Sequence, residues 1–353
     1  MKIKIIGAGS IGNHLAQASR RMGWQVTVVD RDPEALRRME EEIYPKRYGS
    51  WDASIELFTS DKEPRGGFDI IMIGTPPDTH MQLALQALDE KPKVLQIEKP
   101  LCTPSLVGLK EFQEKLEKNP ATAVVVGYDH AISSSIEEVV NLLGQEIIGD
   151  VATVDVEFRE HWQGIFNAHP WLSGPKDTYL GFWERGGGAS GEHSHALHLF
   201  QLLARKSGLG TWKKVHAAMA MKKSGGAEYD SIAIFLLITD TGNVGRVVQD
   251  VVTFPTRKWA RMQGSEGFVE WIGSGSQKGD IVRSGKKGGE VVEKVFEKTR
   301  PDDFYRETLH IADIIAGKIK PNDSPLSLES AVAVMKVVAT AHRHRNEAVT
   351  IET

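Results

Sequence analysis

A glycine-rich turn near the start of the chain is the first stretch whose residues suggest chemistry. Gly7, Gly9 and Gly12 follow a short apolar run at G-x-G-x-x-G spacing, where an amphipathic helix is predicted to begin. This spacing allows a tight turn, close approach of a pyrophosphate to the backbone and close packing of helix on strand. The free N–H groups at a helix start bind anions. The turn therefore predicts a phosphate-binding βαβ unit, with Ser10 and Ile11 completing the cofactor-binding loop.

An acidic residue ends the next apolar run and bears on which dinucleotide is bound. Asp30 lies about 20 residues beyond the glycines, where a carboxylate accepts hydrogen bonds from the ribose hydroxyls of adenosine. Because a carboxylate repels a 2′-phosphate, Asp30 favours NAD over NADP. Arg31 follows directly and is able to stack on adenine or to pair with that phosphate, so NADP stays open as the second cofactor.

Two further apolar runs, which predict buried parallel strands, end in groups able to contact a bound cofactor. One is followed by Thr75, Pro76 and His80, and the other by Glu98 and Lys99. Ligands of open α/β sheets lie at the carboxyl ends of the strands, so both groups are predicted on the nicotinamide side. Partial burial brings a lysine toward the range of proton transfer, so Lys99, oriented by Glu98, is a candidate acid–base group. A solvated surface lysine is the alternative.

A second group of polar side chains follows three glycines in the second half of the chain. Glu192 and His195 are three residues apart, so on a predicted helix they share one face and both point at one ligand; His198 follows three residues later. His195 is a candidate for acid–base or substrate-orienting chemistry, with packing of a buried histidine as the alternative. A metal site is geometrically conceivable, but no fourth ligand is identifiable, so no metal is predicted.

Aromatic rings interleave with charged groups in the long stretch before those glycines. Trp162, Trp171 and Arg185 belong to it. Flat rings cover the apolar faces of a sugar ring, and charged groups bind its hydroxyls, so these three residues are candidates for substrate binding. The alternative for each ring is packing over a sheet or at a subunit contact.

Composition narrows the class of partner and the compartment. A formal net charge of −4 with 25% charged residues provides no basic field for nucleic acid or for an acidic membrane, so a small-molecule substrate is expected. No apolar run reaches the length of a membrane span. Met1 leads straight into a predicted strand and leaves no room for a signal peptide, so a cytoplasmic location is expected.

The pattern of apolar residues predicts an α/β protein of two domains. Alternating apolar runs and helices in residues 1–126 predict a Rossmann domain with a doubly wound parallel sheet. Period-2 alternation, first seen at Val154, Val156 and Phe158, predicts an open, mainly antiparallel sheet with helices on one side. Residues 127–353 are thus predicted to form an α+β domain for substrate binding and oligomerisation.

Several motifs, in this order, resemble the Gfo/Idh/MocA family of NAD(P)-dependent oxidoreductases, which is named for glucose–fructose oxidoreductase and inositol dehydrogenase. They are GAGSIG, GTPPDTH, EKPL, GYDH, GSEGFVEW and the paired final helices. The resemblance implies that Lys99, the lysine of EKP, is catalytic. It also places Tyr128 and His130 beside the substrate, where the family has a Gly-Tyr-Asn element, and it implies a homodimer or homotetramer.

The match to the family is imperfect around the second histidine. The resemblance puts His195 at the catalytic position and His198 at a later, often acidic one. Gly191 stands where the family has an aspartate four residues before the histidine. Either Glu192 replaces that acid or the acid is absent; the first interpretation is preferred, which makes Glu192 the third candidate catalytic residue.

Together these features predict hydride transfer between a nicotinamide and a hydroxyl-bearing carbon of a sugar, a sugar derivative such as an amino or nucleotide sugar, or a cyclitol. Lys99, helped by His195, would draw off the hydroxyl proton as hydride moves to NAD. Two alternatives stay open. One is a redox-neutral, NAD-dependent glycosidase of the same fold, and the other is a regulator that binds NAD and sugar without turnover, which Gly191 favours.

Overall fold

The computed structural model describes residues 1–167, 172–345 and 347. Within them the strands are β1 Lys2–Ile6, β2 Gln25–Asp30, β3 Ile55–Thr59, β4 Ile70–Ile73, β5 Val94–Ile97, β6 Ala123–Val126, β7 Val151–Arg159, β8 Trp212–Ser224, β9 Ala227–Thr239, β10 Val244–Asp250, β11 Arg257–Gly264, β12 Gly267–Ser276, β13 Gly279–Lys286 and β14 Val291–Glu297. The α-helices are α1 Ser10–Arg21, α2 Pro33–Arg38, α3 Tyr44–Tyr48, α4 Pro77–Asp89, α5 Leu109–Glu117, α6 Ser134–Gly144, α7 Trp162–Asn167, α8 Gly188–Glu192, α9 His195–Lys206, α10 Arg300–Ile315 and α11 Leu328–His344.

These elements form two compact units. The first comprises residues 1–102, 106–132 and 299–331, and the second comprises residues 103–105, 133–298 and the chain from residue 332 on. The first unit therefore includes α10, although this helix comes much later in the chain than the other elements of the unit.

The first unit is built on a six-stranded parallel sheet in the order β3-β2-β1-β4-β5-β6. Its central strands end in register, since Ile6 pairs with Ile73, Ile73 with Ile97, and Ile97 with Val126. All four residues of β4 are fully buried, as expected of a parallel strand covered on both faces. The predicted doubly wound parallel sheet is confirmed.

The sequence after β2 predicts one helix to about residue 42 and a short strand near residues 55–58; the strand is confirmed as β3, but the helical part is longer than predicted. After α2 the chain makes a π-helical turn, Met39–Ile43, and continues as α3. Met39, Ile43 and Tyr44 are all buried along this stretch. The helix predicted for residues 104–118 also begins later, at Leu109, because the residues before it form turns.

The second unit is built on an eight-stranded sheet in the order β14-β13-β12-β11-β7-β10-β9-β8. Only β7 and β10 pair in parallel among these neighbours, so the predicted open, mainly antiparallel sheet is confirmed. Val154, Val156 and Phe158 are at most 1% exposed, as their alternation predicts. Helices α6, α8 and α9 pack against the sheet.

The glycine-rich stretch of residues 273–289 has no periodicity in its sequence, which predicts mobile hairpins. The structure has antiparallel hairpins there, built of the long strands β12, β13 and β14. A Cβ on Gly273 would lie 2.7 Å from the ring of Trp271, and one on Gly285 would lie 3.1 Å from that of Phe268. Neighbouring rings thus explain these two glycines.

Among the described residues, no helix is long and apolar enough to cross a membrane.

Candidate active site

The glycine turn of the first unit has the shape that a pyrophosphate requires. A Cβ on Gly12 would lie 1.9 Å from the carbonyl oxygen of Gly7, and Gly7 itself has a φ of +111°, so both positions demand glycine. Gly9 differs, because a Cβ there would meet no atom of the described residues within 4 Å. Packing therefore explains Gly7 and Gly12. Gly9 instead leaves open space for an anion beside the first turn of α1, where Ser10 and Ile11 are partly exposed.

Asp30 closes one side of this turn. Its Oδ2 accepts the N–H of Ala8 at 2.8 Å, and its Oδ1 accepts the N–H of Asp32 at 2.9 Å. Each carboxylate oxygen keeps a further lone pair that is able to accept a ribose hydroxyl. Arg31, the neighbouring candidate, is exposed. These side chains and the glycine turn therefore fit the adenosine ribose and the pyrophosphate of a dinucleotide.

The aligned strand ends set the separation between Asp30 and Lys99. The ladder continues one residue past β5 and β6, since the N–H of Glu98 donates to Ile73 at 2.9 Å and that of Gly127 to Ile97 at 2.9 Å. Strand β5 is three positions from β2 in the sheet, which corresponds to about 14 Å between the two ends. An extended dinucleotide with its ribose at Asp30 thus reaches toward Lys99, whose side chain is partly exposed.

His80 lies beneath the two turns that border this edge. Its Nε2 is 2.8 Å from the carbonyl oxygen of Thr75, and its Nδ1 is 3.0 Å from that of Pro100. The ring is fully buried, and burial lowers the pKa of His80 although the carbonyl oxygens favour the protonated ring. A neutral ring has one N–H and donates to one of these carbonyl oxygens at a time. His80 thus packs between the turn after β4, which includes exposed Pro76, and the chain just after Lys99.

Behind Lys99 lies a cluster of buried carboxyl groups. Glu98 is 6% exposed and packs so closely on Gly127 that a Cβ there would lie 2.7 Å from its Oε1. Burial raises the pKa of Glu98 to about 8; the charge of Asp129 adds to the rise, and Lys99 and Arg300 oppose it. Glu98 therefore holds a proton at neutral pH.

A second acid of this cluster comes from α10. Glu307 is fully buried, and neither of its carboxyl oxygens makes a hydrogen bond of ordinary geometry within the described residues. Burial raises the pKa of Glu307 well above its usual value, helped by the charges of Glu98 and Asp129 and opposed by the Gln96 amide and Arg300. A fully buried acid of this kind is expected to be neutral.

His130 is oriented by the same cluster. Its Nδ1 lies 2.7 Å from Oδ1 of Asp129, and the other oxygen of that carboxylate lies 3.0 Å from Nη1 of Arg300. Because a carboxylate only accepts, Nδ1 of His130 carries the hydrogen. Tyr128, the other candidate of this turn, is fully buried, which favours packing over contact with a ligand.

The sequence predicts the helix that the structure shows as α10 to be scaffold, so it does not identify Arg300 and Glu307 as parts of the site. A signal was present, since both residues fall on the same helical face as Phe304 and Ile311, which are buried. A charged residue on the apolar face of an amphipathic helix calls for a buried partner.

In the second unit, Glu192 and His195 do not share one helical face as predicted. Helix α8 ends at Glu192 and α9 begins at His195, because the chain between them turns. The carbonyl group of His193 accepts both the side-chain amide of Gln249 and the N–H of Ala196. In a continuous α-helix this carbonyl would accept the N–H of residue 197, so its bond to the N–H of Ala196 marks the break.

The missing aspartate at position 191 also has a structural reason. A Cβ on Gly191 would lie 2.0 Å from the carbonyl oxygen of Gly186, so no acid fits there. Glu192, which is partly exposed, is the acid nearest to that position along the chain.

A buried Ser–Asp–His network holds this turn. Oδ2 of Asp230 accepts the N–H of Ser190 at 2.7 Å, and the hydroxyl of Ser190 donates to Oδ1 at 3.1 Å and lies 2.9 Å from Nε2 of His342. Burial raises the pKa of Asp230 to about 7 and lowers that of His342 to about 4. Both partners contact one hydroxyl that is fully buried, so the network is a structural support rather than a nucleophile relay.

The remaining predicted substrate residues of this unit differ in exposure. His195 and His198 are 8% and 3% exposed on α9. Trp162 is buried in a cluster with Tyr229, whose ring centroid is 5.5 Å away, so packing accounts for it. Arg185 is exposed, and Trp171 lies outside the described residues.

Residues 1–128 match the model of an oxidoreductase family with an NAD-binding Rossmann fold, Gfo/Idh/MocA. These residues therefore belong to the Gfo/Idh/MocA oxidoreductase family. The match confirms the predicted resemblance over this part of the chain, together with a nicotinamide dinucleotide as the class of cofactor that it binds. No curated protein matches this sequence.

Solved structures similar to the whole chain share its fold at low identity. An aldose-aldose oxidoreductase from Caulobacter crescentus complexed with glycerol is 18% identical over 100% of this chain and 99% of its own, with a TM-score of 0.76. The WlbA dehydrogenase from Bordetella pertussis in complex with NADH and UDP-GlcNAcA is 19% identical over 99% and 97%, with a TM-score of 0.71. Levoglucosan dehydrogenase in complex with NADH and levoglucosan is 16% identical over 98% and 97%, with a TM-score of 0.75.

Proposed function

We propose that the whole protein is an NAD(P)-dependent oxidoreductase that transfers hydride between a nicotinamide and a hydroxyl-bearing carbon of a sugar, a sugar derivative or a cyclitol. The observation that carries the proposal is the position of Lys99 at the carboxyl edge of the sheet, about 14 Å from Asp30 across three strand spacings. Three structural relatives support the substrate class, since they are named for an aldose or for levoglucosan, or hold UDP-GlcNAcA.

The residues of the first unit divide the work between binding and proton transfer. Asp30 and the glycine turn bind the adenosine ribose and pyrophosphate, and Thr75 and Pro76 border the nicotinamide half. NAD, when bound there, would supply the acceptor for the hydride. Lys99 takes the proton of the substrate hydroxyl as the hydride leaves and returns it in the opposite direction. In the second unit, Glu192 and His195 stay predicted catalytic groups.

Buried groups lie behind Lys99. Nδ1 of His80 is 3.0 Å from the carbonyl oxygen of Pro100, the residue after the lysine, so the buried ring packs under the backbone at this point. Glu98 carries its own proton at neutral pH, so it does not compete with Lys99 for the proton of the substrate. We therefore assign the exchange of a proton with substrate to the lysine amine.

Replacement of Lys99 by methionine tests the proposal. Lys99→Met should lower turnover of the best substrate in a panel of sugars, nucleotide sugars and cyclitols by about 10²- to 10⁴-fold, because a general acid–base group is lost. Affinity for NADH, measured by fluorescence, should change less than about threefold. The matched control is Lys93→Met at the other end of β5, where the lysine is 63% exposed and pairs with Asp69.

Wild-type turnover by Lys99→Met would refute the assigned role. Intact NAD binding by the wild-type protein without turnover of any panel member would instead favour the regulator. Release of a free sugar with no net change in NADH absorbance would favour the redox-neutral glycosidase.

A further inference from the structure

Arg47 of α3 contacts the first turn of α1, the helix that follows the glycine turn. Helix α3 brings its guanidinium onto Ser10, where Nη1 donates to the carbonyl oxygen at 2.9 Å and Nη2 donates to Oγ at 2.8 Å. The next residue, Tyr48, bonds with Nδ1 of His14 one turn further along α1 at 2.5 Å. Two consecutive side chains thus fix α3 against the start of α1.

The direction of these hydrogen bonds leaves the Ser10 hydroxyl as a donor. Arginine only donates, so Oγ of Ser10 acts as the acceptor of Nη2. The hydroxyl hydrogen therefore goes elsewhere, and within the described residues no acceptor receives it. Ser10 directly follows Gly9, whose α-carbon borders open space. An anionic oxygen in that space would take the hydrogen.

The charge of Arg47 gives an independent indication of an anion. The side chain is half-buried, and no ion pair among the described residues includes it. Burial lowers the pKa of Arg47; the neighbouring charge of Arg300 adds to the decrease, against the phenol of Tyr48. A partly buried cation that lacks a carboxylate and lies near a second cation is destabilising unless an anion binds beside it.

We propose that Arg47 is a positioning residue of the pyrophosphate site. It holds Ser10 so that the hydroxyl donates to a phosphate oxygen, and its positive charge stabilises the anion. The inference deepens the proposed function, because it concerns how the cofactor is held. The inference about Arg47 concerns only how the cofactor binds. It therefore does not depend on which substrate is assigned to the enzyme.

The test compares a ligand that has the pyrophosphate with one that lacks it. Dissociation constants of ADP-ribose and adenosine are measured by calorimetry for the wild type, Arg47→Met, Arg47→Lys and Ser10→Ala. Arg47→Met and Ser10→Ala should each weaken ADP-ribose about tenfold or more, as expected for loss of a charge-assisted contact. The affinity of these variants for adenosine should change less than about twofold. Arg47→Lys should lose less affinity for ADP-ribose than Arg47→Met does.

Two further measurements separate positioning from general support. The double variant Arg47→Met with Ser10→Ala should bind ADP-ribose little worse than Arg47→Met alone, because the two side chains act as one unit. The affinity of Arg47→Met should also depend less on salt. The matched control is Arg37→Met, whose arginine is exposed and pairs with Glu34 and Glu41, and it should bind both ligands normally.

Wild-type affinity of Arg47→Met for ADP-ribose would overturn the proposal, as would an equal loss of ADP-ribose and adenosine. If Arg47→Met does not fold, Ser10→Ala decides the matter, since it removes one hydroxyl only; undiminished ADP-ribose binding by that variant would overturn the proposal. Selective loss of ADP-ribose without turnover of any sugar would leave this inference standing and reject the substrate class.

Discussion

Replacing Glu98 with glutamine should make the first unit more stable at neutral pH. The folded-state pKa of Glu98 is raised by burial to about 8, against 4.5 for an ordinary glutamate. A raised pKa means that the folded protein loses stability as pH rises from about 4.5 through about 8, because the buried acid must keep its proton while the unfolded chain releases it. The variant cannot titrate, so this loss should disappear.

The size of the effect follows from the two pKa values. Each unit of separation between pH and the ordinary pKa is worth about 1.4 kcal/mol up to the folded value, so the penalty at pH 7 is about 3 kcal/mol. Glutamine has the same shape as protonated glutamate and, like it, offers both a donor and an acceptor. The free energy of unfolding of Glu98→Gln should therefore exceed that of the wild type by about 3 kcal/mol at pH 7 and by less than about 1 kcal/mol at pH 5.

The assay must report on the first unit alone, since a chain of two units need not unfold in one step. Urea titrations at pH 5, 6, 7 and 8 can be followed by hydrogen exchange of peptides from β5 and β6. The matched control is Glu114→Gln on α5, whose glutamate is 58% exposed and should leave the pH dependence as it is. Parallel loss of stability with pH in Glu98→Gln and wild type would refute the reasoning.

Three further substitutions test other parts of the structure. Gly12→Ala places a Cβ 1.9 Å from the Gly7 carbonyl oxygen, so it should lower the free energy of unfolding by about 1–3 kcal/mol. The affinity of this variant for NADH, measured in fluorescence titrations, should fall at least about tenfold. Asp30→Ala, which removes a carboxylate from the ribose site, should weaken NADH more than NADPH in the same titrations, and an equal loss of both would contradict the assignment of Asp30. Asp230→Ala leaves the buried N–H of Ser190 without its acceptor, and should lower the thermal midpoint by several degrees through a loss of about 1–3 kcal/mol.

The cofactor end of the site was predictable from sequence because its determinants are local. The spacing of Gly7, Gly9 and Gly12, the acid at Asp30 and the lysine after β5 all follow from short runs in which turn, helix and strand succeed one another. Parallel strands end at one edge of a sheet, so these local features also predict which residues lie along that edge.

Other features depended on contacts between residues far apart in the chain. Arg300 and Glu307 reach the cluster of Asp129 and Glu98 only because α10 packs against the first unit, more than 160 residues further along the chain. Likewise, the pairing of Arg47 with Ser10 spans 37 residues and follows from the π-helical turn that sets the direction of α3. Periodicity within one helix predicts which of its faces is buried, but it does not identify the residues that pack against that face.

The second unit shows the same limit at one turn. The spacing of Glu192 and His195 predicted a single helical face, yet the helix breaks between them, where Gln249 of β10 donates to the carbonyl group of His193. Sequence by itself thus determined the order of strands and helices, the glycine turn and the acid beside it, because these arise from interactions between residues close in the chain. Tertiary structure alone decided which charges are buried together and where helices stop, because those outcomes depend on partners that no local pattern identifies.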